Sequence, residues 1–139
     1  FAHVSLASSR GDLARAVLEG IALEVKNNLD ILEHYTGNVN RLYISGGLTK
    51  FPAFNQIQAD VYQKQLIRSR ENAEHTSLGA WAGAAVALKL YPDYDAALRE
   101  ARGQETEEIF APNPAMNELY QKKQREMNEL YRRLCMPVS

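Results

Sequence analysis

Two adjacent glycines, Gly46 and Gly47, stand where an extended run gives way to a helical pattern. Residues 41–45 are rich in β-branched and aromatic side chains, whereas the segment after Pro52 has helical spacing. A strand that leads into a glycine turn and then a helix makes room for phosphate in α/β proteins, because the bare turn lets a ligand approach the backbone. The pattern therefore predicts an anion- or nucleotide-accepting turn. A tight turn that binds nothing would explain the glycines equally well.

The other reactive side chains form no recognisable catalytic set. His3, His34 and His75 lie in three different contexts, with no carboxylate or second histidine at ligand spacing. No glycine-rich loop ends in Lys-Ser/Thr, and there is no G-x-G-x-x-G pattern. Cys135 is the single cysteine and cannot form an internal disulfide, which favours a reducing, cytoplasmic setting. We therefore predict no catalytic residue and no metal ligand within this chain.

The composition describes one globular unit that is large enough to bury a core. Of the 139 residues, 45% are hydrophobic, and 16 Lys and Arg nearly balance 17 Asp and Glu, giving a formal charge of -1. A balanced charge gives no electrostatic reason to expect nucleic acid or an anionic membrane as a partner. No apolar segment approaches the length of about 18 residues that a membrane span needs.

The elements that must position the glycines alternate between strand and helix. An alternating run at residues 1–6 predicts a first strand. Ser9 and Asp12 then have the spacing of a helix-start box, and the helix should end near Gly37. One apolar stripe at three- and four-residue steps should form its buried face: Ala14, Val17, Leu18, Ile21, Val25, Leu29 and Leu32.

The glycine turn should lie between a strand and a short helix. In the strand at residues 41–45, Leu42 and Ile44 point one way and Tyr43 the other. Pro52 suits the first helical turn that follows, with the buried side marked by Phe54, Ile57 and Val61. Residues 65–68 predict a third short strand.

The second half of the chain should be mainly helical. Residues 81–88 are dominated by small side chains, and Gly79 and Gly83 predict close helix packing there. A short helix should follow at residues 96–102 and end at Gly103. Three acidic residues, Glu105, Glu107 and Glu108, are expected in a solvated loop. The last helix should begin with Asn113 as its cap and Pro114 as its first residue, exposing basic side chains along its length.

Strands alternating with helices predict an α/β fold with a short sheet flanked by helices. Three short strands leave a free sheet edge beside residues 1–6, and such an edge is expected to find a partner. That partner would be either another part of a longer protein, of which this chain is then a fragment, or a second copy in a homodimer.

Four stretches, in this order, resemble the C-terminal domain of the FGGY carbohydrate kinases, a family that includes glycerol, xylulose, ribulose and gluconate kinases. The resemblance covers nearly the whole of residues 1–139. The stretches are Arg15-Ala-Val-Leu-Glu-Gly20, Ser45-Gly-Gly47 followed by Gln56-Ile-Gln-Ala-Asp60, Glu74-His-Thr-Ser-Leu-Gly-Ala80, and Pro112-Asn-Pro114 with Tyr120.

The resemblance implies part of an actin-like, ribonuclease H-like ATPase domain that binds ATP with Mg²⁺. By position, Gly46, Gly47 and Leu48 would approach the phosphates and ribose, while Phe51 and Phe54 would lie near the base. An aromatic ring can stack on adenine, and glycine gives phosphate access to the backbone. A phosphate contact from Lys50 is also conceivable by position, although a lysine in a turn more often faces water.

The chain departs from the family pattern at two positions. Phe51 stands where many members have Ser or Asn, which puts a polar contact to the nucleotide in doubt. Trp81 replaces a usual alanine, which puts the packing of the small-residue helix in doubt. In these kinases the sugar pocket and the catalytic aspartate belong to an N-terminal domain. Asp60 and Glu74 are therefore not assigned a catalytic role, and the chain alone is expected to be inactive.

Two functions remain open at this point. The first is the nucleotide-binding side of a kinase that phosphorylates a sugar or polyol. The second is a non-catalytic interaction or regulatory domain that keeps an actin-like half-fold without turnover.

Overall fold

The computed structural model describes residues 4–69, 75–102 and 106–135. Five α-helices, three β-strands and two short 3₁₀-helices occupy this part of the chain. In chain order they are α1 (Arg10–Thr36), β1 (Arg41–Ile44), a 3₁₀-helix (Gly47–Lys50), α2 (Pro52–Tyr62), β2 (Gln65–Ser69), α3 (His75–Ala87), α4 (Tyr94–Arg102), β3 (Glu107–Phe110), a 3₁₀-helix (Pro114–Met116) and α5 (Asn117–Cys135).

The sheet is mixed and has the order β1-β2-β3. Strand β1 runs parallel to β2, whereas β3 is antiparallel to it. The register places Leu42, Leu66 and Phe110 side by side on one face. That face packs against α2 and belongs to one buried cluster with residues of α1, α2 and α5, and Leu66 at its centre is fully buried. The predicted α/β architecture is confirmed.

Local signals set the ends of the helices much as the sequence predicts. Ser9 and Asp12 form a complete capping box at the start of α1, and the Gly37 amide closes the other end by bonding to the Glu33 carbonyl. Pro52 begins α2. The Asn113 side chain caps the 3₁₀-helix that begins at Pro114 and leads into α5.

Two strand expectations are wrong in the described part of the chain, one near its beginning and one in the acidic segment at residues 107–108. Residues 4–6 are not in a strand, and residues 1–3 lie outside the described part. The third strand is instead β3, which contains Glu107 and Glu108 of the acidic segment that we expected to be a solvated loop; Glu105 lies outside the described residues. Backbone pairing with β2, one buried anchor at Phe110 and an ion pair between Glu108 and Arg68 hold this strand despite its acidic composition.

The predicted apolar stripe of α1 is only partly buried. Leu18 and Leu29 pack against the core, but the other large members of the stripe are exposed: Val17, Ile21, Val25 and Leu32. The buried face is rotated around the helix and is centred on Glu19, Ala22 and Leu23. Helical spacing identifies apolar faces, but it does not say which face the rest of the described chain covers.

Helices α3 and α4 pack on each other through small side chains. Ala82, Ala85 and Ala97 are buried. A Cβ at Gly83 would lie 4.0 Å from the Tyr94 ring, which is an ordinary van der Waals contact, so the packing in the described part of the chain does not require glycine at this position. A Cβ at Gly79 would meet nothing within 4 Å in the described part of the chain, so the packing explanation does not hold there.

A buried carboxylate fastens α1 to α5. Glu19 accepts hydrogen bonds from Arg15 at 2.8 Å, from the Tyr120 hydroxyl at 3.0 Å and from Lys123. Burial alone would raise the pKa of the Glu19 carboxyl, but the hydrogen bonds from Lys123 and Arg15 outweigh it and hold the pKa below its ordinary value. The ionised carboxylate therefore stabilises the contact between the two helices.

Substitution of Glu19 should change how stability depends on pH. Because the folded-state pKa lies below the unfolded one, the contribution is complete above the unfolded pKa and is lost as pH falls through the folded value. We expect Glu19→Gln to lower the free energy of unfolding by about 1–3 kcal/mol near neutral pH. The loss should shrink as urea unfolding is repeated toward about pH 3. Glu24→Gln, on an exposed part of the same helix, is the matched control. If Glu19→Gln lowered the free energy of unfolding equally near neutral pH and at about pH 3, the stabilising role of the ionised carboxylate would be contradicted.

Candidate functional site

The glycine turn lies at the surface, directly after β1. Gly46 has φ +103° and ψ 176°, a conformation open almost only to glycine, and Gly47 begins the 3₁₀-helix. A Cβ on either glycine would meet nothing within 4 Å in the described part of the chain. The turn is therefore open in the directions in which side chains at these two positions would point.

Thr49 holds the turn closed upon itself. Its amide and its hydroxyl both donate to the Gly46 carbonyl, at 3.1 and 2.7 Å. The Thr49 carbonyl in turn accepts a hydrogen bond from Asn55 Nδ2 at 2.8 Å and one from Arg68 Nη1 at 2.6 Å. The turn is thus linked to α2 through Asn55 and to β2 through Arg68.

The structure brings four of the five predicted nucleotide-binding residues to one surface. Gly46, Gly47, Leu48 and Phe51 are exposed, and the Leu48 and Phe51 side chains are 47% and 60% accessible. Phe54 is 2% accessible and belongs to the hydrophobic core. Leu48 and Phe51 thus offer apolar surface beside the bare turn, and Phe54 supports α2 from inside.

Two other predicted residues have clear surroundings. Lys50 is exposed at the end of the 3₁₀-helix, so its ammonium group faces solvent. Asp60 is buried and accepts hydrogen bonds from the Gln56 side chain and the Asn113 amide, both at 2.8 Å. These contacts fasten α2 to the segment after β3, which is the structural role expected for this aspartate. Glu74 lies outside the described residues.

Sequence reasoning missed Asn55 and Arg68. In the sequence, Asn55 is visible only as a polar residue beside the apolar positions of α2, and Arg68 only as a cation at the end of an apolar strand. The pairing of β1 with β2 brings Arg68 to the Thr49 carbonyl, and the position of α2 brings Asn55 to the same carbonyl.

Within residues 4–69, 75–102 and 106–135, no three His, Cys, Asp or Glu side chains are grouped so as to hold a metal ion. No helix in these ranges is long and apolar enough to cross a membrane.

The two glycines should respond differently to alanine. Gly46→Ala forces a side chain into a conformation reserved for glycine and should cost about 1–3 kcal/mol of stability. Gly47→Ala meets open space without a positive φ, so its free energy of unfolding should stay within about 0.5 kcal/mol of the parent. Urea denaturation of both variants measures the difference. Equal losses would contradict the described conformation of the turn.

Known proteins are similar to the part of the chain that contains the glycine turn. Residues 2–88 match the FGGY family of carbohydrate kinases, C-terminal domain, and therefore include the whole turn. An uncharacterized sugar kinase of Escherichia coli, YgcE, is 40% identical over 90 residues, which is 60% of this chain and 17% of that protein.

Solved structures extend the likeness along nearly the whole chain. Xylulose kinase from Rhodospirillum rubrum superposes with a TM-score of 0.76 at 27% identity, covering 96% of this chain and 27% of that one. Plasmodium falciparum glycerol kinase, solved with ADP, gives a TM-score of 0.74 at 26% identity, covering 97% and 26%. The chain thus spans about a quarter or less of the length of these proteins.

Proposed function

The chain belongs to the FGGY family of carbohydrate kinases, and from this we propose that it forms the nucleotide-binding side of an enzyme that transfers the γ-phosphate of ATP to a hydroxyl of a sugar or polyol. The observation that carries the proposal is the open turn at Gly46 and Gly47, which lies inside the family match and between a strand and a helix.

Each exposed residue of the turn has a role in this proposal. Gly46 and Gly47 give the phosphates access to the backbone, since no side chain stands in the way. Leu48 borders the ribose, and Phe51 offers its accessible ring to the adenine. The burial of Phe54 does not favour a direct contact with the base, so we assign it to the wall beneath the turn.

We propose that the chemical step needs groups from outside this chain. Phosphoryl transfer depends on positioning both substrates and on stabilising charge from both sides of a cleft. We propose that the catalytic base and the sugar pocket belong to another domain, so this chain alone is inactive. Mg²⁺ is expected to accompany ATP, but the described residues offer no grouped ligands that fit it, and we assign no step to the metal. A cytoplasmic location is part of the same proposal.

The nucleotide assignment predicts that Gly47→Ala weakens ADP binding by at least tenfold, which is about 1.4 kcal/mol, because a methyl group then occupies the space of the phosphates. Titration of the 139-residue chain with ADP, followed by calorimetry, measures the effect. Gly20→Ala is the control, since it also adds a methyl group in open space, but on α1.

Three results would contradict parts of the proposal. Equal ADP affinity of Gly47→Ala and the parent would remove the turn as the contact surface. No saturable ADP binding by the parent would remove the claim that the turn is a working site in this chain by itself. Release of ADP from ATP in the presence of glycerol or xylulose, above the rate without them, would show that the chain is active by itself.

Self-association is a second part of the proposal. Within the described residues, strand β1 is paired on one side only, and the exposed stripe of α1 adds apolar surface: Val17, Ile21, Val25 and Leu32. We expect a homodimer by light scattering at high protein concentration, and a monomer for the double variant Ile21→Lys, Val25→Glu. A parent chain that stays monomeric would contradict this expectation.

A further inference from the structure

We propose that Asn55 and Arg68 are positioning residues that hold the glycine turn in its nucleotide-binding conformation through the Thr49 carbonyl. This inference rests on the proposed function, because it assumes that the turn is where the nucleotide binds. It concerns two side chains that lie behind the exposed surface of the turn.

Thr49 couples the turn to the framework. On one side, its amide and hydroxyl donate to the Gly46 carbonyl, which fixes the peptide between the two glycines. On the other side, its own carbonyl accepts from Asn55 and Arg68. A hydrogen bond from a guanidinium is charge-assisted and stronger than one between neutral groups. Movement of the turn away from β2 must break the bond from Arg68, and movement away from α2 must break the bond from Asn55.

Asn55 is fully buried, so it can influence a ligand only through the turn. Its Nδ2 reaches Thr49, but its buried Oδ1 has no hydrogen-bond partner among the residues that the structure describes. A buried polar atom without a partner costs about 1–3 kcal/mol, so an apolar side chain of similar size would be favoured at this position on stability alone. The amide is therefore explained by its bond to the turn and not by the packing of α2.

Arg68 reaches the same carbonyl from the end of β2. Its Nε also lies 3.5 Å from the Glu108 carboxylate on β3, which orients the guanidinium plane. One planar group thus bridges the third strand and the turn. Lysine has no fork of donors and could not reproduce both contacts.

The first test measures ADP affinity of the 139-residue chain by calorimetry. Asn55→Leu should weaken binding about tenfold or more while the melting temperature stays the same or rises, because the orphaned Oδ1 is removed. Gln58→Leu is a matched control. Gln58 also lies on α2 and has a buried Oε1 without a partner in the described part of the chain, but it donates to Tyr62 and not to the turn. It should leave ADP affinity within about twofold of the parent.

Arg68→Met should cause a similar loss, and Arg41→Met, which removes the same charge at the far end of β1, should not. A double variant separates positioning from direct contact with phosphate. If both side chains act through one carbonyl, Asn55→Leu with Arg68→Met should bind ADP about as weakly as the worse single variant. Losses that multiply would mean that Arg68 acts on the nucleotide directly, and this would overturn its assignment.

Hydrogen exchange at the Thr49 amide, observed by NMR, tests the inference without any ligand. Exchange should be about tenfold faster in Asn55→Leu than in Gln58→Leu. An unchanged exchange rate of the Thr49 amide would overturn the inference, whether or not the parent binds ADP. Failure of the parent to bind ADP would count against the proposed function and not against this inference. If the parent binds ADP and both single variants bind it with an affinity within about twofold of the parent, the inference is overturned and the proposed function stands.

Discussion

The parallel pairing of β1 with β2 is the constraint on which the rest of this structure depends. Parallel strands end at the same edge of a sheet, so the turn that follows Ile44 must lie beside the end of β2. The register sets Ile44 opposite Arg68 and Arg68 opposite Glu108. The cation, the carboxylate and the turn therefore meet at one edge because of the topology, although they are far apart in sequence.

The opposite end of the same strand pair is fixed by a second cation. Lys64 is buried directly before β2, and its ammonium group donates to the Glu33 carboxylate, the Asn38 side chain and the Val39 carbonyl. Glu33 also accepts from the Val39 amide, and its hydrogen bonds with Lys64 and Val39 lower the pKa of its carboxyl. Lys64 at the start of β2 thus holds the segment before β1, and Arg68 at the end of β2 holds the turn after β1. Such a buried charge is tolerated because all three of its donors are used.

The sequence predicts features that depend on residues close together in the chain better than features that depend on distant residues. Helix starts at Ser9 and Pro52 depend on groups within a few residues, so local patterns identify them. Strand β3 has too few apolar residues to be recognised from its sequence. It forms because its backbone pairs with β2, which is a tertiary contact. The strand, glycine and helix pattern located the turn, whereas the roles of Asn55 and Arg68 were not predicted. The Arg68 contact depends on the pairing of β1 with β2, and the Asn55 contact depends on how α2 packs behind the turn.

The arrangement also explains why polar side chains lie beneath an exposed turn. Binding a ligand to a loop that must first be ordered costs conformational entropy, which a loop already held in its bound shape avoids. Glycine increases this problem, because Gly46 and Gly47 leave the backbone free to adopt many conformations when nothing restrains it. Apolar packing from Leu48 and Phe51 cannot supply the restraint while both remain accessible to a ligand. Directional bonds from the interior can, and the unpartnered oxygen of Asn55 is the cost in stability that accompanies them.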